Sequence, residues 1–204
     1  MARLRSISLW TLVFSIVAVA TGQGAESFPR PMEIVRASNE AITEILNEHD
    51  PLGSEGEELV YGVMDGVTDF QAMSAAAIDD VCVDREIPAD RCGEWKTVFG
   101  DLLRIRSIKG VGRYRADRFD YLNEEIDGER AVVNTLAYYE DEEVTLDYEL
   151  ESNAGSWRIV NYVVDDINTA SSYRRRFQRL LDRETVDDVI QRLSDRIEKF
   201  REEG

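Results

Sequence analysis

The 204-residue chain is poor in histidine and cysteine, on which many catalytic and metal-binding sites depend. It has a single histidine, His49, in a turn-like Glu-His-Asp-Pro segment, and only two cysteines, Cys82 and Cys92. The sequence contains no His-Glu-x-x-His motif, no glycine-rich phosphate loop and no calcium-binding loop. Neither a histidine-based catalytic triad nor a histidine-bound metal is therefore indicated, and we expect no metal site.

Basic residues are also scarce, since 24 Lys and Arg stand against 41 Asp and Glu and the formal net charge is −17. A surface of this sign repels nucleic acid and anionic membranes, so neither is expected as a resting partner. Neighbouring carboxylates on a strand point to opposite faces and cannot share one proton as a catalytic pair would. Asp165 and Asp166, which directly follow an apolar strand, are the one acidic pair retained as a candidate catalytic site.

Long apolar runs are absent except at the N-terminus. Arg3 and Arg5 precede an apolar stretch, Ile7 to Ala20, which small residues follow. At ~1.5 Å per residue this stretch spans ~21 Å, less than the ~30 Å of a bilayer core. We predict a signal peptide over residues 1–24, with cleavage between 20 and 25, and one exported domain over 25–204. An uncleaved membrane anchor is the alternative.

The predicted export signal determines how the two cysteines are interpreted. In an oxidising compartment a disulfide between Cys82 and Cys92 is the default, and closing so short a loop contributes roughly 2–3 kcal/mol. The spacing is not Cys-x-x-Cys, so a redox role is less favoured than a structural one.

Apolar spacing divides the rest of the chain into helices, then strands, then helices. Helical spacing covers 31–48, 59–67, 71–83 and 88–114, the last despite Gly110 and Gly112. Alternation predicts four strands, at 118–123, 131–140, 142–151 and 157–164, with a turn at 125–128. Helical spacing returns over 173–181 and 186–200, and Thr185 with Asp188 forms a capping-box pattern. This order predicts a single α+β domain.

One stretch, from Gly155 to Phe177, resembles the signature of the MlaC or toluene-tolerance family of periplasmic phospholipid-binding proteins. The family pattern is Gly-x-Trp-(Lys/Arg)-(Val/Ile), a short apolar strand, an acidic residue and a Tyr-Arg-x-x-Phe helix. The matching residues are Trp157, Arg158, Ile159, Val163, Val164, Asp165, Ile167, Tyr173, Arg174 and Phe177. The chain departs from the pattern at Asp166, where the family usually has Gly, at Asn168, where it usually has Ser, and at Ser107, where an aromatic is common.

The resemblance implies a curved antiparallel sheet of the NTF2 or cystatin type, wrapped by N- and C-terminal helices and enclosing an apolar pocket. It implies a soluble periplasmic carrier of phospholipid or a related two-chain lipid, and no enzyme. The carrier would move lipid between an inner-membrane ABC permease complex and an outer-membrane lipoprotein complex, with the phospholipid as cargo and no cofactor. The predicted lipid-binding residues are Met64, Phe70, Met73, Phe99, Leu103, Val111, Val133, Leu146, Tyr148, Val163 and Ile167.

Two other interpretations stay open. One is an exported NTF2-like enzyme that uses Asp165 or Asp166, and the other is an exported interaction domain with a filled core and no ligand. The arginine group on the helix after the strands, Arg174, Arg175, Arg176 and Arg179, is a candidate contact for phosphate or for a partner.

Overall fold

The computed structural model describes residues 28–113, 115–139, 142–153 and 156–202. The predicted signal peptide lies outside these residues, and so does the side chain of Val111. Within the described ranges no helix is long and apolar enough to cross a bilayer. The elements, in chain order, are α1 (Pro31–Glu48), α2 (Ser54–Val67), α3 (Phe70–Asp84), α4 (Ala89–Arg113), β1 (Arg118–Asp127), β2 (Arg130–Tyr139), β3 (Glu142–Asn153), β4 (Ser156–Val164), β5 (Ile167–Asn168), α5 (Thr169–Leu181) and α6 (Val186–Glu202).

The helix starts follow from local hydrogen bonding. Asp69 accepts a bond from the backbone N–H of Ala72 and so caps α3, and Asn168 caps α5 in the same way through the N–H of Ser171. The predicted capping box before α6 is confirmed, because the Thr185 hydroxyl accepts from the Asp188 N–H and the Asp188 carboxylate accepts from the Thr185 N–H.

The strands form one open antiparallel sheet in the order β1-β2-β3-β4-β5. Register shifts lie between Tyr121 and Asn123 in β1 and at Glu149/Leu150 in the β3–β4 pair. Such irregularities increase the local twist and bend of the strands that carry them. Alternate residues of β2 are buried on the face that α1 covers, as the period-2 pattern predicts.

Two strand boundaries differ from the sequence prediction. β1 continues to Asp127, so the predicted turn at 125–128 is wrong in extent: residues 125–127 pair with β2, and the turn is Gly128 and Glu129. A fifth, two-residue strand also follows the predicted four. It returns along β4 through Asp165 and Asp166, whose φ values of 47° and 63° form the tight turn that joins paired strands.

The interior consists of two groups of buried side chains. The helical core, drawn from α2 to α6, has as its buried members Val60, Met64, Phe70, Met73, Ala77, Ile78, Val81, Cys82, Cys92, Trp95, Phe99, Leu102, Leu103, Ile105, Ile108, Ala170, Phe177, Val189, Ile190 and Ile197. The sheet core lies between α1 and the sheet and has as its buried members Val35, Ala131, Val133, Tyr148, Leu150 and Ile159. The predicted disulfide joins Cys82 to Cys92, which links the end of α3 to the start of α4.

Candidate functional site

The predicted lipid-binding residues fall into both cores. Met64, Phe70, Met73, Phe99 and Leu103 belong to the helical core. Val133 and Tyr148 belong to the sheet core, and the half-buried Leu146 packs against it. Val163 is half-buried and Ile167 is 60% exposed at the sheet edge. The structure therefore brings most of the predicted set into the interior, in two groups that lie on either side of a junction.

Tyr162 marks that junction, because its side chain packs against both cores. Its ring lies edge-on to Tyr148, with 5.5 Å between ring centroids, and its hydroxyl is 3.1 Å from the hydroxyl of Thr68. Thr68 also forms an isolated parallel bridge with Ile159, and the N–H of Asp69 donates to the Ile159 carbonyl. These bonds join the sheet to the segment between α2 and α3.

The helical side of the junction is closely filled. The Phe99 ring is fully buried and makes edge-on contacts with Tyr173 and Phe177, with centroids 4.8 and 4.9 Å apart. Phe177 makes a similar contact with Trp95 at 4.9 Å. Aromatic pairs of this geometry stabilise a core beyond the area they bury.

The sheet side of the junction carries polar groups. The Tyr148 hydroxyl donates to the Asn39 side-chain carbonyl at 3.1 Å, and the Asn39 amide donates to the Tyr121 hydroxyl at 3.3 Å. Burial raises the pKa of Tyr148 well above its ordinary value and raises the pKa of Tyr162 to about 12. These phenols therefore stay neutral at physiological pH and act as hydrogen-bonding groups.

A surface cleft of about 680 Å³ opens at the boundary between the helices and the sheet, and we call it the seam cleft. Its lining comes from α2, α3, α4 and the β3–β4 hairpin: Asp65, Thr68, Asp69, Phe70, Gln71, Gly100, Asp101, Arg104, Asn153, Ser156 and Arg158. Phe70 lines the cleft and is also a member of the helical core, so it connects the cleft to the interior.

Two arginines of the seam cleft hold its walls together. Arg104 forms a two-bond pair with the Asp65 carboxylate, at 2.6 and 2.5 Å. Arg158 donates to the backbone carbonyls of Asp65 and Thr68, both at 2.7 Å, and so binds β4 to the C-terminal end of α2. A cation at that position is favoured by the helix dipole.

A second surface cleft, of about 550 Å³, lies between α1 and β1. Its walls include Glu40, Glu44 and Glu48 of α1 and the rings of Phe119 and Tyr121. None of the predicted lipid-binding residues lines it.

Of the acidic pair retained from the sequence, Asp165 has a structural role. Asp165 accepts bonds from the Thr145 N–H at 3.0 Å and from the Thr145 hydroxyl at 3.3 Å, which secures the β4–β5 turn. Among the described residues, no group of three or more His, Cys, Asp or Glu side chains is arranged to hold a metal ion.

Sequence patterns did not point to Asn39, Thr68 or Tyr162. Asn39 lies in a polar stretch of α1, Thr68 follows the end of α2, and Tyr162 lies in an apolar strand. At each position a buried hydrogen bond and an exposed side chain give the same sequence pattern. The signature itself contained one usable signal, since the family's Lys or Arg after Trp157 is Arg158, which binds the end of α2.

Comparison with known proteins agrees with this arrangement. A model of the MlaC protein family matches residues 36–195. Comparison with curated protein sequences finds no match. Among solved structures, the phospholipid-binding protein from Ralstonia solanacearum, determined in complex with a phospholipid, has a TM-score of 0.70 at 16% sequence identity. The match covers 85% of this chain and 99% of that chain. These findings confirm the predicted family resemblance and the α+β fold with an open antiparallel sheet.

Proposed function

The chain belongs to the MlaC family, and on that basis we propose that it is a lipid carrier, which binds a phospholipid and moves it through an aqueous compartment. We place this function in the periplasm, after removal of the signal peptide, between an inner-membrane ABC permease complex and an outer-membrane lipoprotein complex. The observation that carries the proposal is the junction at Tyr162, where two apolar cores meet beneath the seam cleft.

The energetics explain why a carrier is needed. Burying one CH₂ group contributes ~0.8 kcal/mol, so a sixteen-carbon chain loses roughly 12 kcal/mol of burial when it enters water. A protein that covers the chains removes this cost without any chemical step. The interior of this domain can offer such cover only where its side chains separate, and we take the junction at Tyr162, where the helices meet the sheet, as that place.

We propose that the acyl chains lie between the helices and the sheet, with Phe70 and Tyr162 at the entrance. The seam cleft is within the ~300–1,000 Å³ of ordinary ligand pockets, and its polar lining suits a headgroup that stays in contact with water. Its charged side chains are of both signs, Asp65, Asp69 and Asp101 against Arg104 and Arg158, which suits a zwitterionic headgroup.

Native mass spectrometry of protein purified from the periplasm tests this function directly. We expect a co-purifying mass equal to that of a two-chain lipid, released by organic solvent. Protein that is free of lipid after gentle purification would support the alternative of an interaction domain without a ligand.

Photo-crosslinking tests the position of the chains. A benzophenone amino acid in place of Leu146, which packs on the sheet core, should crosslink to the lipid. The same group in place of Val83, which is 77% exposed at the end of α3, should not. Equal crosslinking at both positions would contradict the proposed site.

The enzyme alternative is not favoured, because Asp165 is held by two bonds from Thr145 in a turn. Neither aspartate lines the seam cleft. We therefore expect Asp165→Asn/Asp166→Asn protein to keep its bound lipid.

A further inference from the structure

The arginines of α5 divide into two kinds. Arg174 turns towards α3, where it pairs with Asp80 at 2.6 Å and donates to the Ala76 carbonyl at 2.5 Å. Arg175, Arg176 and Arg179 are exposed. We call these three residues the arginine face.

Among the described residues, the arginine face has no acidic partner. Arg175 donates to the Ser172 hydroxyl at 3.1 Å. Within the part of the chain that the structure describes, the side chains of Arg176 and Arg179 have no hydrogen bond or ion pair.

Nearby arginines behave differently. Arg85 pairs with Asp182, Arg91 with Asp187 and Arg192 with Glu184. With 41 acidic residues against 24 basic ones, the chain has carboxylates in excess. The lack of partners at the arginine face is therefore not caused by a shortage of acidic side chains.

Helix geometry places the three guanidinium groups together. At ~100° per residue, Arg175, Arg176 and Arg179 lie within an arc of about 100°, and about 6 Å of helix rise separates the first from the last. The opposite side of α5 is buried through Phe177 in the helical core. The arginine face is thus a rigid, outward-facing group of donors, and guanidinium forks of this kind match carboxylates with two bonds each.

We propose that the arginine face is a docking surface for an acidic segment of a partner protein. The charge distribution favours a segment over a membrane. An anionic bilayer presents a plane, which would also approach the acidic surface around α5 in a protein of net charge −17. A short acidic segment can contact the arginines alone.

The strength of such contacts suits a partner that must leave again. Exposed ion pairs are individually weak and are screened by salt, and their main effect is on the rate and orientation of encounter. This inference goes beyond the proposed carriage of lipid, because it concerns a surface on α5 and not the interior.

Binding of a fluorescein-labelled hexaglutamate peptide at low salt provides the test. Two triple variants remove the same charge: Arg175→Gln/Arg176→Gln/Arg179→Gln at the arginine face, and Arg118→Gln/Arg130→Gln/Arg201→Gln at other exposed positions. We expect the first to raise the peptide's Kd about tenfold and the second by less than about twofold. Urea unfolding midpoints should differ little between the two, because all six side chains are exposed and the contacts of Arg118 with Asp120 and Tyr138 and of Arg130 with Glu151 are surface contacts.

Three outcomes would overturn the proposal. The wild-type protein could fail to bind the peptide, or the two triple variants could weaken binding equally, which would reflect net charge alone. In the third, the wild-type protein sediments with vesicles of phosphatidylglycerol and phosphatidylcholine, and only the arginine-face variant fails to do so. The occupant of the arginine face would then be a membrane. Native mass spectrometry of the same variants separates this question from cargo binding, since bound lipid should persist in both.

Discussion

The helical core and the sheet core solve the problem of a stable interior in different ways. The helical core is almost wholly apolar, with edge-on aromatic contacts around Phe177 and a disulfide between α3 and α4. The sheet core is smaller, and the hydroxyl of its Tyr148 donates to the buried side chain of Asn39 in α1. Close apolar packing fixes side chains by shape, whereas buried hydrogen bonds fix them through specific polar partners. Under the proposed lipid carriage, we expect the helical core to act as the scaffold and the smaller sheet core to be the side that admits the ligand.

The strongest way to break this contrast is to open the helical core. Phe99→Ala removes a fully buried ring that contacts Tyr173 and Phe177, and should lower the free energy of unfolding by about 3–5 kcal/mol. Urea titration followed by tryptophan fluorescence measures the loss. Leu59→Ala, at a position 46% exposed on α2, is the control and should cost much less. A loss below about 1 kcal/mol at Phe99 would show that the scaffold is looser than its packing indicates.

Removal of the disulfide is expected to have the next largest effect. Cys82→Ala/Cys92→Ala should lower the free energy of unfolding by roughly 2–3 kcal/mol, because the unfolded chain regains the entropy that the closed loop removes. Dithiothreitol should destabilise the wild-type protein by a similar amount and leave the double variant unchanged. A reductant effect on the double variant would assign the loss to another cause.

A smaller effect is expected on the sheet side. Asn39→Leu leaves the buried Tyr148 hydroxyl without its acceptor and should cost about 1–3 kcal/mol. Asn39→Leu/Tyr148→Phe also removes the unpaired hydroxyl and should recover most of that loss, because the half-buried Tyr121 hydroxyl, the other partner of Asn39, can bond to water instead. If the double variant is as unstable as the single one, the cost lies in packing, and the sheet core resembles the helical core more closely than proposed.

The smallest effect is a gain in stability. Asp166 has a φ of 63°, which favours glycine, so Asp166→Gly should raise the free energy of unfolding by about 0.5–1 kcal/mol. Asp165→Gly relieves a similar backbone conformation but loses the bonds from Thr145, and it should give no gain. The comparison of the two variants by thermal unfolding separates backbone strain from hydrogen bonding in the β4–β5 turn.

Much of the fold could be predicted because long amphipathic patterns have few interpretations. The helices from Pro31 and from Val186 match their patterns, and α4 continues past Gly110 as expected. The end of β1 was missed because its last residues are mostly acidic, which is typical of a turn, although they pair with β2. β5 was missed because two residues carry too little pattern to indicate a strand.

The site could be predicted less well. Periodicity identifies a buried face, and Met73, Phe99 and Val133 are indeed buried. Periodicity does not show which helix or strand a buried face packs against, so the division into two cores could not be predicted. Tyr162, which joins them, lies in a strand whose pattern gives no sign of that role. Which of the eleven residues contact lipid stays a prediction.

The bond between Cys82 and Cys92 also makes the stability of the chain depend on where the chain is. Thiols remain reduced in the cytosol, so a newly made copy there must hold α3 against α4 by packing alone. Such a copy unfolds more readily, which suits passage through a narrow export channel. Under the proposed export, oxidation in the periplasm then forms the disulfide. Unfolding becomes less favourable only after the chain has crossed the membrane.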